Sequence, residues 1–167
     1  MLYHDRSLIK VWCLRGTLHL LPAEDLPIYW KAVMGYQLEG WRRWLKRAGR
    51  LRPQEECEWL HALLVEALAE GPLTRDELSA RFPRFVPESG ASWGVDLKEL
   101  CYLGKVCHAE PRGVEARLVR LDCWLPKIGL ETIDQATAQK ELAALEEEAE
   151  GLAAFLGARD MELQPVR

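Results

Sequence analysis

Apolar positions along the chain switch between a period of two and a period near 3.6, and the switches mark out the elements. Leu8 to Leu14 (LIKVWCL) and Thr17 to Leu21 read as two short strands that meet near Gly16. Pro22-Ala23-Glu24-Asp25 is expected to open a helix, with acidic residues placed to complement the helix dipole and Leu26, Tyr29, Trp30 and Val33 on its apolar face. Residues 41–49 (WRRWLKRAG) form a basic amphipathic helix with Trp41, Trp44, Leu45 and Ala48 on one side, and Gly49 is its stop. Pro53 starts the next helix, in which Trp59, Leu60, Leu63, Leu64, Ala67 and Leu68 recur at helical spacing as far as Gly71.

Thr74 and Glu77 then have the spacing of a capping box, in which each side chain satisfies the other residue's free N–H, so a short helix is predicted to run from there to Pro83. After a loop containing Pro87, Ser89 and Gly90, residues 93–103 read as a third helix burying Leu97, Leu100, Cys101 and Leu103, with Gly104 at its end. Residues 105–109 alternate as a strand, Glu110 to Gly113 supply turn chemistry, and residues 115–121 return. Three helices followed by a hairpin is the winged helix-turn-helix pattern, with a longer loop between its second and third helices than usual. The fold class expected is mainly α with a small β component. Residues 1–52 form the strand pair and first helices, 53–126 the winged helix, and 127–167 an acidic C-terminal helix. In that last helix Leu142, Leu145, Ala149, Leu152 and Phe155 share a face, Glu146 to Glu148 point outward, and Gly157 is the stop.

Composition changes this picture in one respect. The 167 residues carry a net charge of −4, which argues against simple electrostatic attraction to DNA. The distribution reverses the judgement: residues 1–120 hold 18 Lys and Arg against 16 Asp and Glu, whereas residues 121–167 hold 4 against 10. The acidity sits in the tail and the body is mildly basic. There is no long apolar stretch for a membrane span and no signal-peptide core at the N-terminus, so a cytoplasmic location is expected. Five Cys without framework spacing fit reduced thiols. Cys101, Cys107, His108 and Cys123 lack a close C-x-x-C pair, and strand alternation sends Cys107 and His108 to opposite faces, so neither a metal nor any other cofactor is expected.

Candidate nucleic-acid contacts follow from the cations. Arg42, Arg43, Lys46 and Arg47 cluster on one helix, the footprint that phosphate contact leaves; a solvated face beside a Trp seam is the competing reading. In the winged helix, Arg75, Lys98 on the third helix and Lys105, Arg112 and Arg117 on the wing stand where groove and backbone contacts are made. Asp96 and Glu99 beside a single Lys make the third helix a poor base reader, which leaves open a winged helix serving as scaffold. Gln37-Leu38-Glu39 imitates a Gln-x-acid catalytic pair but reads as a polar helix end.

The segment Arg15-Gly16-Thr17-Leu18-His19-Leu20 followed by Pro22-Ala23-Glu24-Asp25-Leu26 resembles the RGTLHL…PAEDL signature of the AlkZ/YcaQ-like winged-helix DNA glycosylases. Asp5 to Trp12 is similar to the approach to that signature, Gly71 to Leu78 (GPLTRDEL) to the family's helix-turn-helix start, and Leu121 to Pro126 to the close of that domain. The resemblance covers roughly residues 4–126. It implies removal of alkylated bases from double-stranded DNA by bacterial proteins, and it adds Arg15, Thr17 and His19 to the candidate DNA contacts, although a packed, hydrogen-bonded role for His19 is the plainer expectation. The family's catalytic Gln-x-Gln or Gln-x-Asp pair lies upstream of the signature, so a DNA-binding repair protein without glycosylase activity of its own is expected. The alternative is a regulatory module that uses the winged helix as scaffold and pairs with a second copy or a partner chain through the C-terminal helix.

Overall fold

The computed structural model describes residues 3–13, 16–82 and 94–162, with the backbone alone from 151 onward. Arg15 and the loop at 83–93, including Pro87 and Trp93, lie outside the described residues. The chain runs through β1 (Leu8–Trp12), β2 (Leu18–Pro22), α1 (Leu26–Tyr29), a π-helical segment (Trp30–Met34), α2 (Gly35–Arg47), α3 (Gln54–Ala69), β3 (Leu73–Thr74), α4 (Arg75–Arg81), α5 (Val95–Tyr102), β4 (Val106–Arg112), β5 (Glu115–Arg120), α6 (Leu121–Trp124) and α7 (Gln135–Glu162).

The strands form one five-stranded antiparallel sheet in the order β2-β1-β4-β5-β3. The expected hairpins are therefore not separate ribbons. Lys10 of β1 pairs with His108 of β4, which joins the N-terminal strand pair to the later hairpin, and Leu73-Thr74 adds an edge strand against Leu118 and Arg117. The fold is mixed: helix predominates, and the sheet is larger than the small β component expected. Strand side chains alternate between faces, yet Val106, Cys107, His108 and Ala109 are all buried. The first half of β4 is thus covered on both sides, so Cys107 and His108 share burial in spite of pointing apart.

The polypeptide turns into helix at Leu26, not at Pro22. Asp25 is the N-cap residue but makes no side-chain cap bond, and Glu24 precedes the helix. From Leu26 the chain is helical without a break to Arg47, because the π-helical segment carries α1 into α2. The basic helix at 41–49 is thus the second half of a longer element. The capping box forms as predicted: Thr74 Oγ1 accepts from the Glu77 N–H at 3.2 Å and Glu77 Oε2 accepts from the Thr74 N–H at 2.7 Å. β4 extends past the expected turn through Pro111 and Arg112, with a register irregularity between Ala109 and Arg112, so the hairpin reverses at Gly113-Val114.

One buried core joins Ile9 and Val11 of β1, Leu26 and Met34 of the first helical stretch, Leu60, Leu64 and Leu68 of α3, Leu78 of α4, Leu97 and Leu100 of α5 and Leu118 of β5. At Gly104, where α5 ends, a Cβ would sit 2.4 Å from Leu130 and 2.7 Å from Trp30 Nε1, at a φ of +66°. Only glycine lets Trp30 and Leu130 close over that turn. α7 docks on α1 and the π-helical segment through Ala138 and Leu142, and the Lys31 ammonium pairs with Glu131 just ahead of it. Leu145 is half-buried, Ala149 is exposed, and the helix passes Gly157 to reach Glu162; the side chains of Leu152 and Phe155 lie outside the described residues. Among the described residues no helix is long and apolar enough to cross a membrane.

Candidate nucleic-acid interface

The predicted cations fall into three groups. Arg43, Lys46 and Arg47 lie exposed on the second half of α2, with Arg47 Nε 3.4 Å from the Arg43 carbonyl. Arg42 lies one turn before Lys46 on the same face of that helix, but its Nε and Nη2 donate to Glu99 Oε1 at 2.9 and 2.5 Å. Its guanidinium is half-exposed yet paired with a buried carboxylate, which sets it apart from the other three cations.

The third helix of the winged-helix pattern has little free surface. Of the eight residues of α5, Asp96, Leu97, Glu99, Leu100, Cys101 and Tyr102 are buried. Asp96 and Glu99, which on sequence look like repulsive groups on a DNA-facing surface, instead turn inward toward α2 and α3. Arg52 Nη1 donates to Asp96 at 2.6 and 2.7 Å, and His61 Nε2 lies 3.7 Å from the same carboxylate. Burial holds the His61 imidazole below its usual pKa against the pull of Glu99 and Asp96 in the opposite direction, so desolvation outweighs the neighbouring charge. Two carboxylates three residues apart between apolar positions, with Arg42 and Arg52 elsewhere, were the available sign of this arrangement. Spacing alone could not say which way they point.

Lys98 also turns toward the protein. Its Nζ donates to the Gly16 carbonyl at 3.0 Å, stands 4.7 Å from the centre of the Trp41 ring and 5.9 Å from that of Tyr102, and burial lowers its pKa. This contact gives the glycine of the RGTLHL segment a physical reason. Gly16 has a φ of +70°, and a Cβ there would lie 3.2 Å from the Tyr102 hydroxyl and 3.4 Å from Lys98 Nζ. Thr17 is exposed, and its carbonyl lies 3.0 Å from His19 Nδ1. His19 is partly exposed on β2 and not packed away as its plainer reading expected.

On the hairpin and its neighbours, Arg112 pairs with Glu77 at 2.7 Å, Arg117 Nε donates to the Glu110 carbonyl at 2.6 Å, and Lys105 is exposed at the start of the hairpin. Arg75 is partly buried at the first position of α4. Gln37 and Glu39 lie within α2 rather than at a helix end. Among the described residues no group of three His, Cys, Asp or Glu is arranged to hold a metal ion. Burial raises the Cys107 thiol to about 12 and moves Cys101 upward as well, so both are un-ionised packing groups at neutral pH.

The family model described as DNA glycosylase AlkZ-like matches residues 1–154, and the chain belongs to that family. It is 35% identical over 120 residues to an interstrand DNA cross-link repair glycosylase of Streptomyces sahachiroi, a match covering 65% of this chain and 30% of that protein. The solved structure of Streptomyces sahachiroi DNA glycosylase AlkZ superposes with a TM-score of 0.63 at 28% identity, covering 80% of this chain and 37% of the other. The chain thus spans about a third of the length of the relatives it matches.

Proposed function

We propose that this chain is a DNA-contacting unit of AlkZ-type base-excision chemistry, and that it meets the phosphate backbone through Arg43, Lys46 and Arg47 on α2. The observation that carries the reading is the division of labour along that helix. Arg42, half-exposed, is paired with buried Glu99, while Arg43, Lys46 and Arg47 are exposed with no carboxylate partner among the described residues, on an element packed against α5. Exposed cations on a fixed helix suit phosphate contact, which supplies affinity without sequence readout. The three helices α3, α4 and α5 with the β4–β5 hairpin fit a winged helix whose third helix is packing rather than reader, because α5 keeps only Val95 and Lys98 from full burial. Membership of the family, whose curated relative repairs interstrand cross-links, supports double-stranded DNA as the partner.

The test is duplex binding followed by fluorescence anisotropy at low salt. Arg43→Ala, Lys46→Ala and Arg47→Ala together should weaken binding by about tenfold or more, with the thermal midpoint unchanged. Unchanged affinity would remove α2 as the phosphate face. A second reading has one observation of its own: residues 146–150 of α7 are exposed, a surface on which another chain could pair. Sedimentation as a dimer with no affinity for DNA would favour it.

A further inference from the structure

The aromatic residues of α2 are arranged for more than phosphate contact. Positions 36, 40, 43, 44 and 47 recur at i, i+4, i+7, i+8 and i+11 and so form one stripe along the helix. The stripe carries Tyr36, 70% exposed, and Trp44, 41% exposed, with Arg43 and Arg47 alongside. Between the two rings stands Gly40, where an added Cβ would meet nothing within 4 Å. A glycine in mid-helix costs stability, and here it leaves an open notch between two exposed rings. Trp44 is braced from behind by Trp41, stacked at 4.9 Å and 15°, and Arg50 lies 5.7 Å from its centre.

The notch opens into a cleft of about 310 Å³ bounded on the α2 side by Gln37 and Trp41 and across from it by Gly16, Lys98 and Tyr102. That volume lies at the small end of ligand sites, roughly 300–1,000 Å³. An ammonium group can donate three hydrogen bonds, and among the described residues Lys98 spends one, on Gly16. Across the stripe the order is therefore cations, then aromatic rings flanking a gap, then an amide and an ammonium group.

We propose that this cleft holds one unpaired nucleotide of a DNA strand. Its base lies in the Gly40 notch against Tyr36 and Trp44, its edge accepts from Lys98 and Gln37, and its flanking phosphates meet Arg43 and Arg47. A flat apolar ring with hydrogen-bond acceptors on one edge and anionic groups on the other matches that order, since every base offers a π-face to an aromatic platform and all base edges carry acceptors. The inference rests on the DNA-contacting reading above and adds to it a preference for DNA with a base out of its stack.

The decisive variant is Gly40→Leu. It fills the notch and replaces a poor helix former by a good one, so the fold is retained. The probes are a labelled duplex with one central unpaired thymidine and the same duplex fully paired. The full chain should bind the unpaired form about fivefold tighter or more. Gly40→Leu should bring the two affinities together, leaving the paired-duplex affinity in place and the thermal midpoint no lower than that of the wild type, and Lys98→Met should reduce the preference in the same direction. Equal affinity of the full chain for the two probes, or a preference that survives Gly40→Leu, overturns the cleft assignment and leaves the phosphate face standing. Failure of both probes to bind overturns the DNA-contacting reading together with the cleft.

Discussion

His108 shows how one side chain can be fixed by packing and register at once. It is 2% exposed, its ring centre lies 4.9 Å from that of Trp12, and its backbone pairs with Lys10 of β1 and Leu118 of β5. Burial, aided by the Lys10 charge, pushes its pKa down from 6.5 to about 4. The unfolded chain therefore takes up this proton at higher pH than the folded one, and stability falls as pH drops from the unfolded pKa toward the folded one. Between about pH 7 and about pH 4.5 the wild type should lose about 2 kcal/mol more than His108→Phe, measured by urea unfolding. Equal losses would contradict the assignment. Gly104 makes a different demand. Gly104→Ala meets both the positive φ and the Leu130 and Trp30 side chains, and should cost about 2 kcal/mol or more, read as a lower thermal midpoint. An unchanged midpoint would mean that the turn can relax.

At the scale of elements, the pairing of α2 with α5 separates stability from binding. Arg42 is half-exposed and Glu99 is buried, with side-chain exposures of 50% and 4%. Removing the partner of a fully buried charge costs about 3–5 kcal/mol, and the exposed guanidinium reduces this to about 1–2 kcal/mol. Arg42→Ala should therefore lower the thermal midpoint with little effect on DNA affinity, whereas Arg43→Ala should do the reverse. The opposite pattern in a paired melting and anisotropy experiment would exchange the roles of these neighbours. The capping box on α4 was readable from sequence because both partners lie within four residues and each answers a backbone need local to that turn. The direction of Asp96 and Glu99 was not, since it depends on guanidinium groups more than forty positions away. Likewise the alternation of β4 told that Cys107 and His108 point to opposite faces, but not that both faces are covered, which depends on α5, α6 and the Trp12 ring packing against the strand.

For the molecule as a whole, the sheet that joins β1 to β4 places the RGTLHL segment, Lys98 and the α2 cleft in one rigid neighbourhood. The signature residues were legible as a family mark long before their geometry was, because a resemblance names positions without saying what they touch. Gly16 is the clearest case: its role as the seat of Lys98 needs a residue eighty-two positions later. The acidic α7 keeps its glutamates at 146–148 exposed and docks on the helical stretch at residues 26–34, apart from the cations at 43–47 that are proposed to meet phosphate. That separation of charge reconciles a net charge of −4 with phosphate contact.

The most direct test is the salt dependence of duplex binding. The logarithm of the binding constant should fall linearly with the logarithm of salt concentration. Replacing Arg43, Lys46 and Arg47 by Ala should reduce the magnitude of that slope by about 0.9 for each phosphate no longer neutralised, about 3 in all. Wild type and triple variant sharing the same slope would contradict the assignment of α2 as the phosphate face.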